Sequence, residues 1–209
     1  MGSTFRGGVH PPESKDLTRN SDFSNLSIPG KCYIPLQQHT GAPAKPVVAV
    51  GDMVAEGQLI GESQGLISAN VHSSIPGKVV AIETINTVYH KQPAVVIEME
   101  GSLSANAAGR EGTDWTTLDR AAIIKGIRDA GIVGLGGAAF PTSVKLTPPQ
   151  DKKIDVLIVN GAECEPYLTV DDVLVRTYPN EIIEGIRITL KALGISKAYI
   201  GIEDNKEKS

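Results

Sequence analysis

PVVAVGDMVAEGQLIGE, residues 46–62, places short apolar runs on either side of Gly51 and Asp52, a pair suited to a tight reversal of the chain. A second segment, SSIPGKVVAIE at residues 73–83, has the same form, with Pro76 and Gly77 at its turn. Between residues 31 and 99 the apolar runs stay short and β-type, namely VVAV at 47–50, KVVAI at 78–82 and AVVIEM at 94–99, with Gly, Pro and Asn between them. This pattern predicts a small all-β domain over residues 31–100.

Outward from that domain the pattern changes on both sides. Residues 5–29 are polar and without a sustained period, so residues 1–30 are expected to form an extended arm. GSLSANAAGREG at 101–112 is small and polar, which predicts a linker over 101–115. Beyond it the period is helical: Thr116 and Asp119 form a capping pair for a helix over 118–130, with Ile123, Ile127 and Ala130 on one face. DVLIVN at 155–160 reads as a buried strand, and residues 171–176 as a short helix. A longer helix has Pro179 at its first position, Ile183, Ile186, Leu190 and Leu193 along one side, and Gly194 as its cap. Residues 198–202 supply a second strand. The order β, α, β favours a parallel sheet, so residues 116–209 are assigned to an α/β domain. A sheet of two or three strands leaves its edges open, and the α/β domain is therefore expected to be truncated, with the natural chain continuing.

Composition narrows the function. With 41% hydrophobic and 21% charged residues among 209, the chain is that of an ordinary globular protein. Its net charge of -4, with no basic stripe, gives no case for nucleic acid. No apolar run reaches the roughly 20 residues that span a bilayer, so no direct membrane insertion is expected. Cys32 and Cys164 are far apart in sequence, and no two of the four histidines form a close ligand pair, so no metal site is assigned.

Two segments carry the candidate chemistry. GIVGLGGAAFPTSVK at 131–145 has four glycines in its first seven residues, a composition that brings some other group close to the main chain. Gly134, Gly136 and Ala139 match GxGxxA, but the match follows a helix instead of a strand and lacks the later acidic residue of a dinucleotide fingerprint. Read alone, the loop is open between a structural turn and a phosphate cradle. NGAECEP at 160–166 follows the strand directly. An Asn and two carboxylates at a strand end are costly unless they meet water or a ligand, and strand ends of α/β sheets are where ligands bind. The alternative is a solvated loop.

The β domain resembles a biotinyl/lipoyl-type barrel-sandwich hybrid, on VGDxVxxGQ and the PGKV turn. Its connection ESQGLISANVHSS, residues 62–74, contains no lysine, so no lipoyl or biotinyl attachment is expected. GLGGAAFPTxxK followed by NGAExEP resembles the flavin-binding subunit of respiratory complex I. With GGVHPPESK, the barrel-sandwich domain and QHTGAPAKP added, the chain resembles the C subunit of the Rnf electron transport complex over nearly its whole length.

That resemblance implies an FMN- and NADH-binding oxidoreductase subunit. In the intact protein NADH would give a hydride to FMN, and electrons would pass to iron-sulfur clusters toward ferredoxin, or the reverse. The clusters are expected only in a missing C-terminal region, and this piece alone is expected to be inactive. Gly134, Gly136 and Gly137 would bring backbone N–H groups to the flavin, Lys145 would add positive charge, and Asn160 and Glu163 would hydrogen-bond the ribityl chain or ring edge. Phe140 would lie against the adenine or nicotinamide, and Glu165 would orient NADH as the catalytic residue. The subunit would sit peripherally on the cytoplasmic side of the cell membrane, held by other subunits of an ion-transporting complex. Leu135 and Ala162 stand where the complex I pattern has Arg and Asp, so a fork of phosphate donors is missing. A second reading is a non-catalytic docking module, its arm and β domain holding partner subunits.

Overall fold

The structure is a computed structural model that describes residues 11–88, 90–103 and 112–206. Most of the expected linker, residues 104–111, lies outside the described residues. The described residues fall into two compact units, one of residues 27–153 with 192–194 and one of residues 11–26, 154–191 and 195–206. This division differs from a simple succession of domains. Residues 116–153 group with the β domain, and the arm groups with the C-terminal half.

Among the described residues the first unit holds seven strands: β1 (Lys31–Pro35), β2 (Lys45–Pro46), β3 (Met53–Val54), β4 (Leu59–Glu62), β5 (Val71–His72), β6 (Gly77–Asn86) and β7 (Lys91–Met99). They form two antiparallel sheets, ordered β1-β7-β6-β3 and β2-β4-β5. Between the sheets lie Ile34, Leu36, Ile60, Val79, Val95 and Ile97, all buried, so the short apolar runs of the sequence supply a sandwich core. VVAV is not a strand. Val47 donates to Ile60 O at 3.0 Å, but Ala49 N–H is taken by the Asp52 carboxylate at 2.8 Å and Val50 is exposed. The Gly51-Asp52 turn draws these residues out of the ladder.

The same unit includes α1 (Arg120–Asp129) and α2 (Thr142–Lys145). Asp119 alone is the N-cap of α1, accepting from Ala122 N–H at 2.7 Å. Thr116 belongs to a separate 3-10 turn capped by Asp114, which delays the helix from the expected residue 118.

In the second unit β8 (Leu157–Gly161) runs parallel to β9 (Ala198–Ile202), with Leu157 opposite Ala198. Between them come α3 (Val170–Thr177) and α4 (Pro179–Leu193), the latter beginning at the expected proline. Gly194 adopts φ +71° and Ile195 N–H returns to Leu190 O at 3.1 Å, a left-handed helix end. β8 is less buried than its apolar sequence suggests. Leu157 and Val159 are half-buried while Ile158 is 73% exposed, because a two-stranded sheet is covered on one side only.

The sandwich core gives a direct stability test. Ile60 is fully buried between the sheets, so Ile60→Ala should cost about 2 to 5 kcal/mol. Urea unfolding followed by circular dichroism reads this as a fall in midpoint at unchanged slope.

Candidate functional site

The glycine loop is built on the barrel. α1 ends against the connection between β4 and β5: Asn70 Nδ2 donates to Asp129 O at 3.1 Å, and the Arg128 guanidinium to Gly65 O at 3.4 Å. Gly131, at φ +67°, brings the chain so close that a Cβ there would lie 2.2 Å from Asn70 O. No other residue fits without moving backbone. The lysine-free connection is thus a seat for the loop.

Two backbone hydrogen bonds then form a neck, Gly134 N–H to Phe140 O at 2.9 Å and Thr142 N–H to Ile132 O at 3.0 Å. Thr40, in the QHTGAP segment, holds the returning limb: its N–H donates to Ala139 O at 3.2 Å and its hydroxyl to Ala138 O. In a planar trans peptide the N–H points opposite to the C=O. With both carbonyls turned to Thr40, the N–H groups of Ala139 and Phe140 point away from it, and among the described residues neither has a hydrogen-bond partner. Gly137 at φ +129° and Ala139 at φ +49° give the limb the alternating curvature that gathers successive N–H groups toward an anion. A Cβ on Gly136 or Gly137 would meet open space. Lys145 folds back from α2 until its Nζ is 2.8 Å from where a Gly134 Cβ would be, and it forms no ion pair among the described residues. The tip residue Leu135 is 94% exposed.

The second unit carries the other candidate residues at the end of β8. Asn160 Oδ1 accepts from Ala162 N–H at 3.1 Å, a side-chain turn that folds the chain off the strand. Glu163 is 3% exposed and turned inward. One of its carboxylate oxygens accepts from Asp171 N–H at 3.0 Å and the other pairs with Lys206 at 3.4 Å. Its carbonyl accepts from the buried Lys15 ammonium. Glu165 and Cys164 point outward and are exposed. The Asp171 carboxyl titrates above its ordinary range, first through partial burial and then through repulsion by Glu163 and Glu165, with Lys206 and Lys15 opposing. A cavity of about 320 Å³ lies beside this loop, lined by Lys15, Arg19, Asp172, Arg176, Asn205 and Lys206 among others.

Each unit therefore assembles its own set. Gly134, Gly136, Gly137, Phe140 and Lys145 share one loop; Asn160, Glu163 and Glu165 share the other. The partnerless N–H groups beside an unpaired ammonium fit a phosphate-bearing flavin, and the chemistry of neither loop conflicts with it. Among the described residues no group of three or more His, Cys, Asp or Glu is placed to hold a metal ion. Thr40, Lys15 and Thr18 were not singled out by sequence, since a threonine in a turn and a lysine in an aperiodic arm carry no pattern. Their one signal is membership in, or closeness to, the QHTGAPAKP and GGVHPPESK segments.

Comparison with known proteins matches residues 3–102 to the family described as the RnfC barrel sandwich hybrid domain and residues 127–209 to the Nuo51 FMN-binding domain. The C subunit of the proton-translocating ferredoxin:NAD(+) oxidoreductase complex of Clostridium ljungdahlii is 46% identical over 210 residues, covering 100% of this chain and 46% of that protein. The Na(+)-translocating counterpart of Acetobacterium woodii is 42% identical, covering 97% of this chain and 46% of its own. The C subunit of an ion-translocating oxidoreductase complex of Rhodobacter capsulatus is 37% identical, with 99% and 40% covered. The chain spans about half the length, or less, of the relatives it matches.

The charge cluster at the end of β8 predicts a pH effect. A carboxyl whose folded-state pKa is raised contributes stability below its unfolded value of 3.8, and that contribution is lost as pH rises through the folded value. At neutral pH the ionised Asp171 is thus a net strain. Asp171→Asn should stabilise the chain at pH 7 by less than about 1 kcal/mol, given its exposure. The gain should vanish toward pH 3 in thermal melts across that range.

Proposed function

We propose that the chain, a member of the RnfC family, forms part of a subunit of an ion-translocating complex, the subunit that oxidises NADH at FMN and delivers electrons toward ferredoxin, or works in reverse. The reading rests chiefly on one observation: the open limb of the glycine loop, whose Ala139 and Phe140 N–H groups lie unpartnered in the loop that Lys145 folds back over. Bound FMN supplies the conversion between a two-electron hydride and single electrons. The chain's share is binding, orientation and electrostatics.

In this reading the glycine loop N–H groups and Lys145 hold the flavin and its phosphate by charge-assisted hydrogen bonds. Gly136 and Gly137 leave room for the ligand to approach the backbone. Phe140 lies against the dinucleotide. Asn160 offers its amide NH2 to the flavin while its Oδ1 shapes the turn. Glu163, with both carboxylate oxygens engaged, acts by holding the loop. That leaves Glu165, exposed and without an ion-pair partner among the described residues, as the group that orients NADH. Iron-sulfur clusters are assigned to parts of the subunit outside this sequence, because its two cysteines stand alone. No helix among the described residues is long and apolar enough to cross a membrane. Partner subunits are proposed to hold the protein peripherally on the cytoplasmic side.

FMN titration by flavin fluorescence, on this chain and on a full-length subunit, tests the reading. The full-length subunit should bind FMN and this chain only weakly, because the site is closed from two sides in the family it resembles. Lys145→Ala in the full-length subunit should cost about 1 to 3 kcal/mol of FMN binding. Glu165→Gln should leave FMN bound and lower NADH-dependent dye reduction. Tight FMN binding by this chain alone would show the site to be complete within it. Unchanged reduction in Glu165→Gln would remove Glu165 from the mechanism. Failure of the full-length subunit to bind FMN would favour the docking module.

A further inference from the structure

The arm does not hang free. Glu13 O accepts from Tyr167 N–H at 2.8 Å, Thr18 Oγ1 donates to Tyr167 O at 2.8 Å, and Lys15 Nζ donates to Glu163 O. Lys15 is 2% exposed, in a polar segment whose neighbours are mostly in solvent. Burying an ammonium is costly unless it meets charge and hydrogen-bond acceptors, so its position demands a reason.

The loop supplies one. Three carboxylates, those of Glu163, Glu165 and Asp171, gather at the end of β8, with the Lys15 and Lys206 ammonium groups acting on them. Tyr167 is held at φ +67°, a left-handed conformation that a tyrosine does not favour. Such a conformation persists where its surroundings fix it, and here the arm takes both the N–H and the C=O of that residue. The arm's contacts fall on Glu163 and Tyr167, two residues to either side of Glu165. Glu165 is thereby the free centre of a segment pinned at both ends.

We propose that residues 13–18 are a clamp for the dinucleotide-orienting loop, with Lys15 as a positioning residue that fixes Glu163 and supplies the counter-charge that lets Glu165 stand beside Glu163 and Asp171. The inference rests on the assignment of Glu165 to NADH made above. Lys15 itself touches neither ligand. Lys206 reaches Glu163 from the other side, so one lysine holds the main chain of that residue and the other its carboxylate.

Two variants separate charge from clamping. Lys15→Met keeps the stem and removes the ammonium; Thr18→Val removes only the hydroxyl that holds Tyr167. In a full-length subunit loaded with FMN, Lys15→Met should raise the KM for NADH about tenfold, or roughly 1.4 kcal/mol, and Thr18→Val should raise it in the same direction by less. FMN affinity should stay within about twofold of wild type in both, as fits a loss confined to dinucleotide orientation. Carboxyl NMR titration of Asp171 in the 209-residue chain gives a readout independent of turnover. It should move to higher pH in Lys15→Met, because Glu163 and Glu165 then face it with Lys206 alone, and should not move in Thr18→Val. Should Lys15→Met fail to fold, Thr18→Val still decides the clamp. Wild-type KM in Thr18→Val, or an unmoved Asp171 titration in Lys15→Met, would overturn the proposal. Glu165→Gln serves as the reference: if it leaves NADH turnover unchanged, the role of Glu165 is wrong, whereas a normal Lys15→Met beside a defective Glu165→Gln refutes only the clamp.

Discussion

The buried ammonium of Lys15 against the carbonyl of Glu163 ties the first segment of the chain to its middle, across 148 residues. Without a cation there, the end of β8 would present Glu163, Glu165 and Asp171 to one another with a single ammonium between them. Like charges at that range disfavour ionisation and push the loop outward. The turn that follows, with Tyr167 in the left-handed region, is stable because the arm fixes both of its backbone groups. The segment that fixes this end of the second unit contributes, among the described residues, no strand and one turn of 3-10 helix.

In the first unit the barrel has a comparable part. Its β4–β5 connection holds the C-terminus of α1 and the start of the glycine loop, through Gly65, Asn70 and the close approach of Gly131. Thr40 then orients the far limb. A biotinyl/lipoyl-like architecture is used here as a base on which a backbone loop is aimed, with no attachment lysine needed on that connection. Fold and function part company at this point, since the strands are shared and the chemistry depends on what the connections carry.

Much of this was legible in the sequence where local rules act alone. The Gly51-Asp52 turn, Pro179 at the start of α4, Gly194 at its end and the parallel pair of β8 and β9 all follow from φ preference and period, whereas the turn expected at Pro76-Gly77 is not there: the chain bends at Ser74 and Ile75, and Gly77 already pairs as the first residue of β6. Sequence was a poorer guide where a neighbour overrides the local signal. VVAV has strand composition, yet the Asp52 side chain captures Ala49 N–H and turns it. DVLIVN is apolar enough for a buried strand, yet burial depends on how many strands flank it. The arm shows no period because a carbonyl that accepts and an ammonium and a hydroxyl that donate need none. The candidate site residues came from motif resemblance alone; that Glu163 turns inward and Glu165 outward is a property of the assembled charges.

The two lysines of the candidate machinery show how environment divides one residue type into two roles. Lys145 is exposed, unpaired among the described residues and close to open backbone, so its charge is available to a ligand and is screened by salt. Lys15 is buried and engaged, so its charge is little screened and already committed to the protein. An exposed ammonium is open to an incoming anion, which suits capture. A buried one cannot move without exposing an unpaired charge, which suits the holding of a backbone segment in a fixed place before its partner arrives. Orientation of a dinucleotide needs the second property more than the first, because the binding free energy is reduced by whatever ordering is left to be done on association. The cost of burying Lys15 is met on folding, through its contact with Glu163 and the carboxylates beside it, so that under the proposed assignment the loop carrying Glu165 is formed before a dinucleotide arrives.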